Sequence, residues 1–135
     1  MIDKAKSVNQ FVNENITNGK RFVIEKNKFK LFLGDILVAE SGFNIESPDR
    51  WFNKKYVTLY DLKTVEKFQG KGFAKYLLEQ IFNYVKNELK FNIITLIVDK
   101  DNYNAVNLYF NSGFEIFIEY DDSFSLIKND HKCAL

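Results

Sequence analysis

The sequence predicts an α/β domain of the α+β type, built on one mixed sheet. Three observations carry this. Residues 56–98 read as strand, glycine turn, amphipathic helix, strand, which is the pattern of a parallel crossover. Residues 21–43 read as a short antiparallel meander. Residues 114–128 read as a terminal hairpin. The 135 residues suit a single domain, with 46% hydrophobic residues to fill its core.

Ala5, Val8, Phe11, Val12 and Ile16 recur at spacings of three and four, which predicts a helix over 3–17 that stops at Asn18-Gly19. The meander follows as Arg21–Glu25, Phe29–Leu33 and Ile36–Phe43, with turns at Asn27 and Gly34-Asp35. Residues 44–55, with the lone Pro48, form the longest loop. Its Trp51 and Phe52 can line a ligand cleft, although loop aromatics more often cap the edge of a core. Residues 56–65 are a strand. The next helix carries Ala74, Leu77, Leu78, Ile81, Phe82, Val85 and Leu89 on one face. Ile93–Val98 is a continuous apolar run, as expected of a strand covered on both faces. Asp99–Asn102 has helix-capping character and leads into a short helix ended by Gly113. Phe114–Tyr120 and Phe124–Lys128 flank an Asp121-Asp122 turn, and 129–135 is a tail.

Composition excludes several function classes. Nineteen basic and 18 acidic residues leave a formal charge of +1, so no strong field for nucleic acid or an anionic membrane is expected. The single cysteine, Cys133, allows no internal disulfide and suits a reducing compartment. There is no leader-like apolar segment and no span-length apolar run, so a cytoplasmic location is expected. The only histidine, His131, lies in the tail, so neither a Ser-His-Asp machine nor a histidine metal site is expected. Catalysis must use carboxylates, tyrosine, lysine, backbone amides or a bound cofactor.

The chemistry centres on the turn Gln69-Gly70-Lys71-Gly72-Phe73-Ala74. Glycines at a helix start leave N–H groups unpaired at the positive end of the helix dipole, which makes an anion site. A Walker loop requires a hydroxyl residue after its lysine, and here Gly72 follows Lys71. The dinucleotide fingerprint requires a third glycine, and Lys75 stands there. A nucleotide or dinucleotide binder is therefore the weaker reading.

The turn fits [QR]-x-x-G-x-[GA] throughout. Asn102-Tyr103-Asn104-Ala105-Val106-Asn107-Leu108-Tyr109 fits N-x-x-A-x-x-L-Y, and Gly113-Phe114 follows. In these motifs and their order, residues 56–128 resemble the GNAT superfamily of N-acetyltransferases. The resemblance implies a mostly antiparallel sheet whose central parallel strands splay apart to admit acetyl-CoA. Within the single domain expected over 1–135, the resemblance marks an acetyl-CoA-binding core over 56–128, followed by a tail over 129–135, while the N-terminal part over 1–55 is atypical and departs from the family pattern. Gln69, Gly70, Lys71, Gly72, Phe73 and Ala74 would wrap the pyrophosphate. Val65 would lie beside the acetyl group, with strand amides polarising the thioester. Asn102 would contact the pantetheine arm or cap its helix. Tyr109 would be the general acid for the departing thiolate.

The implied reaction is acetyl transfer to a primary amine by direct attack, with no metal. The base is open among strand residues: Asp61 is the candidate on the approach to the site, Tyr60 adjoins it, and Glu119 lies on the hairpin. A bulge would decide which points inward. The acceptor is an amine on a small molecule, peptide or protein. Nucleic acid and membrane are not expected as partners. The reduced N-terminal part leaves the acceptor side open, or completed by a second subunit as a homodimer. A non-catalytic acyl-CoA-binding module is the alternative function.

Overall fold

The computed structural model describes residues 13–17 and 19–130. The chain divides into two compact units that interleave in sequence. Of the described residues, the first takes those up to Gly42 and then Asp61–Leu77, and the second takes Phe43–Tyr60 and those from Leu78 to Asp130. Three elements belong to both: strand β4 (Ile36–Glu46), strand β5 (Tyr56–Thr64) and helix α1 (Phe73–Tyr84).

The first unit is an antiparallel meander of β1 (Asn13–Thr17), β2 (Lys20–Glu25), β3 (Lys28–Leu33) and the first part of β4. Strand β1 corrects the helix expected over 3–17. Asn13–Thr17 pairs residue by residue with β2, from Asn13 opposite Ile24 to Thr17 opposite Lys20. Gly19, at φ +80°, supplies the left-handed residue that turns the chain back. A strand partner across a tight turn outweighs helical spacing, because it satisfies the backbone of both segments. The rest of the expected helix lies outside the described residues. Phe22, Ile24, Phe29 and Leu31 are buried, with the Phe22 and Phe29 rings stacked at 5.9 Å between centroids.

The second unit orders its strands β5-β6-β8-β7, where β6 is Ile93–Asp99, β7 is Glu115–Glu119 and β8 is Ser123–Asn129. The β5/β6 pair is parallel, as the crossover predicts, and the pairs of β8 with β6 and β7 are antiparallel. Helix α1 continues through a wider π turn, Val85–Leu89, and ends at Lys90 in the left-handed conformation. Leu78, Ile81 and Val85 are buried along its second half. Helix α2 (Tyr103–Asn111) connects β6 to β7. Ile94, Leu96 and Val98 bury one face of β6, but Ile97 on the other face is 67% exposed, so the apolar run is not covered on both sides as expected. No helix among the described residues is long and apolar enough to cross a membrane.

Candidate active site

The glycine turn lies in the first unit. A 3₁₀ turn, Glu66–Phe68, leads from β5 to it and is closed by the N–H of Gln69 donating to the Glu66 carbonyl at 3.2 Å. The Gln69 side chain reaches back and donates to the Thr64 carbonyl at 3.1 Å, which fixes the entry of the turn. The first helical bond of α1 runs from the Tyr76 N–H to the Gly72 carbonyl at 3.0 Å. Among the described residues, the N–H groups of Gly70, Lys71, Gly72, Phe73, Ala74 and Lys75 have no backbone or side-chain acceptor. Gly70 and Gly72 sit at φ +76° and +85°, and the space a Cβ would occupy at either is open. Alternating left-handed and ordinary residues turn successive amides toward one concavity, and the helix dipole adds positive potential there. The turn therefore fits an anionic group with several oxygens. Lys71 and Lys75 are exposed. The Phe73 ring meets Phe68 edge to face at 5.9 Å and anchors the start of the helix.

Val65 is 41% exposed, but its N–H donates to the Val38 carbonyl at 2.9 Å. Its own amide is thus occupied and is not one of the thioester-polarising amides expected of this strand. Its exposed side chain is what it can offer a ligand.

The opening between the parallel strands lies in the second unit. The β5/β6 ladder holds only two registered pairs, Val57 with Ile94 and Thr58 with Thr95. The Thr58 and Thr95 hydroxyls meet at 3.1 Å where the ladder ends. Strand β6 nevertheless runs on to Asp99, paired with β8 along its whole length. Its facing edge beyond Thr95 is therefore unladdered, and an extended ligand bearing amides can complete it. Neither threonine was singled out in the sequence. The signal was present, since each is the third residue of its strand.

Asn102 caps α2: its Oδ1 accepts from the Ala105 N–H at 3.4 Å. The capping reading is what the geometry displays, and the exposed amide nitrogen stays available for a ligand. Tyr109 is 7% exposed and meets Phe114 edge to face at 5.6 Å. Burial alone pushes its phenol up to about 12.

The carboxylates separate. Asp61 adopts φ +52° inside β5, and the exposed pair Tyr60-Asp61 interrupts the alternation of buried Val57 and Leu59 with half-buried Leu62 and Thr64. This is the bulge that sequence alternation alone could not position. The Asp61 carboxylate is exposed and makes no ion pair among the described residues. Glu119 is bonded to Lys100 at 2.6 Å, so its carboxylate already has a cationic partner. No group of three or more His, Cys, Asp or Glu that could hold a metal occurs among the described residues.

The family model of the acetyltransferase (GNAT) family matches residues 9–114. No curated protein matches in sequence. Among solved structures, PH1933 of Pyrococcus horikoshii OT3 aligns at TM-score 0.65 and 24% identity, covering 76% of this chain and 64% of that one. This chain thus spans less than two thirds of that protein. Campylobacter jejuni N-acetyltransferase PseH in complex with acetyl coenzyme A aligns at TM-score 0.61 and 21% identity, covering 95% and 76%. Arabidopsis thaliana Naa50 in complex with the bisubstrate analogue CoA-Ac-MVNAL aligns at 0.61 and 23%, covering 76% and 72%. At these identities the structural likeness shows a common fold. With the family model matching well over half of its length, and with the glycine turn and the short parallel ladder in place, the chain belongs to the GNAT acetyltransferase family.

Proposed function

We propose that the chain is an acetyl-CoA-dependent N-acetyltransferase that moves the acetyl group to a primary amine by direct attack. The observation that carries this is the run of unpartnered amides from Gly70 to Lys75 on open space. It is a seat for the pyrophosphate, at the position the family motif assigns to it. The unladdered edge of β6 supports the reading, because the pantetheine arm carries amides that can pair there as a short strand would.

In the reaction, the neutral amine nitrogen forms a bond to the acetyl carbon and the carbon–sulfur bond breaks, with its electron pair passing to sulfur. The amine loses one proton to a base, and the thiolate gains one from an acid. Tyr109 is the proposed acid: burial pushes its phenol up to about 12, so it stays protonated across the working pH range and can hydrogen-bond the departing thiolate, although full transfer to a thiol of about 8.5 is uphill and burial makes it a weaker acid than an exposed phenol. Asp61, exposed at the bulge, is the candidate base, acting directly or through water. Glu119 is the poorer candidate because Lys100 already holds its carboxylate. Complexes of similar proteins with acetyl coenzyme A and with a CoA–peptide analogue support acetyl-CoA as the cofactor and a peptide amine as one class of acceptor.

The burial of Tyr109 also favours a second reading, a domain that binds acyl-CoA without turnover, since a phenol packed against Phe114 can be purely structural. Incubation with acetyl-CoA and a panel of polyamines, amino sugars and peptides, with thiol release recorded, separates the two. Release with at least one acceptor establishes the enzyme. Tight acetyl-CoA binding with no release across the panel supports the binding module.

A further inference from the structure

At the opposite end of the parallel strands from their opening, the second unit holds a pocket of about 720 Å³. It is formed by the loop before β5, the left-handed residue that ends the π turn, and the first residues of β6. That volume lies in the range of small-molecule sites. Four cations line it: Arg50, Lys54, Lys55 and Lys90. Among the described residues none of the four is in an ion pair.

The only acid in the lining, Asp49, is committed to the loop. Its Oδ1 accepts from the N–H groups of Trp51 and Phe52 at 2.9 and 3.1 Å, and its Oδ2 accepts from the Tyr56 hydroxyl at 2.7 Å. These bonds fix the loop; Asp49 keeps its charge and offsets Arg50, its electrostatic neighbour, which leaves Lys54, Lys55 and Lys90 without an ion-pair partner among the described residues.

The aromatic wall is equally fixed. Phe52 stacks on Phe117 at 5.5 Å and meets Tyr56 edge to face at 4.8 Å. Trp51 packs its edge on Phe117 at 5.6 Å yet remains 52% exposed, with Arg50 5.3 Å from its ring centroid. A held indole beside a guanidinium suits a planar ring. The side-chain amides of Asn53 and Asn92, also in the lining, can meet the polar edge of such a ring.

We propose that this pocket is a second ligand site, for a nucleoside phosphate, with the base against Trp51 and the phosphate among Lys54, Lys55 and Lys90. The whole chain carries a formal charge of only +1, which favours a small anion confined to this pocket over a polyanion spread along the surface. The site is independent of the glycine turn and of acetyl transfer.

Trp51 is the only tryptophan in the chain, so intrinsic fluorescence reports on this pocket directly. The test titrates ADP, GDP, UDP and CDP separately into the full-length protein with CoA present at saturation. The expected result is a saturable change with at least one nucleotide. The matching nucleoside and inorganic phosphate each bind at least about tenfold more weakly, as two halves of one ligand do. In calorimetry, the K54A/K90A double variant weakens nucleotide binding by about tenfold or more, whereas K71A leaves it unchanged. Both lysines are exposed, so the double variant is expected to fold. The proposal is overturned by the absence of any saturable change, by nucleotide binding only when CoA is omitted, or by equal binding to K54A/K90A. Affinity for oligothymidylate that grows with its length, or equal binding of oligoglutamate, also overturns it in favour of a nucleic-acid or acidic-peptide surface.

Discussion

Gly72 carries most of the account at the scale of single residues. A side chain there meets no neighbour, so the cost of adding one is conformational: φ +85° disfavours an L-residue by about 1–2 kcal/mol. A Cβ would also stand in the open space beside the free amides. Gly72→Ala should therefore lower stability by about 1 kcal/mol in urea unfolding and raise KM for acetyl-CoA by about tenfold or more, with the KM for the amine little changed. Tyr109→Phe should lower kcat by about a hundredfold or more while acetyl-CoA affinity holds, because it removes only a proton donor. Because burial pushes the Tyr109 phenol up to about 12, its ionisation should not lower kcat between roughly pH 8 and 10, and a fall in that range that Tyr109→Phe abolishes would contradict this. Ser112 gives a prediction of opposite sign. Its buried hydroxyl has no partner among the described residues, so Ser112→Ala should be neutral or raise stability by about 1 kcal/mol.

Among the elements, α1 and the parallel pair were legible because their signals are local and repeated. Leu77, Leu78 and Ile81 fall at helical spacing and are fully buried, and Ile81→Ala should cost about 2–5 kcal/mol in denaturant unfolding. The crossover follows from strand, helix and strand in succession. Strand β1 was not legible, because Val12 and Ile16 fit a helical face as well as a strand, and only the partner β2 decides between them. The bulge at Asp61 was also beyond sequence pattern. Aspartate tolerates a positive φ, but nothing in Tyr60-Asp61-Leu62 says that alternation breaks there. The partners of Val65 and Glu119 were hidden for the same reason. Val38 and Lys100 are distant in sequence, and each occupies a group that the motif alone left available. Asn102 and Ala105, by contrast, lie within one helix start, so the cap could be read directly.

For the whole molecule, the titrating tyrosines set an alkaline limit on stability. Burial pushes the Tyr109 phenol up to about 12. Burial, together with the hydrogen bond to Asp49, does the same for Tyr56. A folded-state value above the unfolded value near 10 means that the folded chain holds its protons longer. The contribution is complete below about pH 10 and is lost as pH rises toward 12. Thermal unfolding followed between pH 8 and 12 should show a plateau and then a fall across that window, and Tyr109→Phe should make the fall shallower. Asp49 acts at the other end. The Tyr56 hydrogen bond holds its carboxyl below the usual range, so its contribution is present at neutral pH and is lost on acidification. Acetyl-CoA binding to the native state alone should raise the melting temperature in proportion to the logarithm of its concentration. The central claim is that the free amides of Gly70 to Lys75 receive the pyrophosphate. The most direct measurement is an amide-resolved NMR titration with CoA. The account predicts that the largest shifts fall on the N–H groups of Gly70, Lys71, Gly72, Phe73, Ala74 and Lys75, and that pantetheine lacking the phosphates leaves them in place. Saturable CoA binding with those amides unmoved would contradict it.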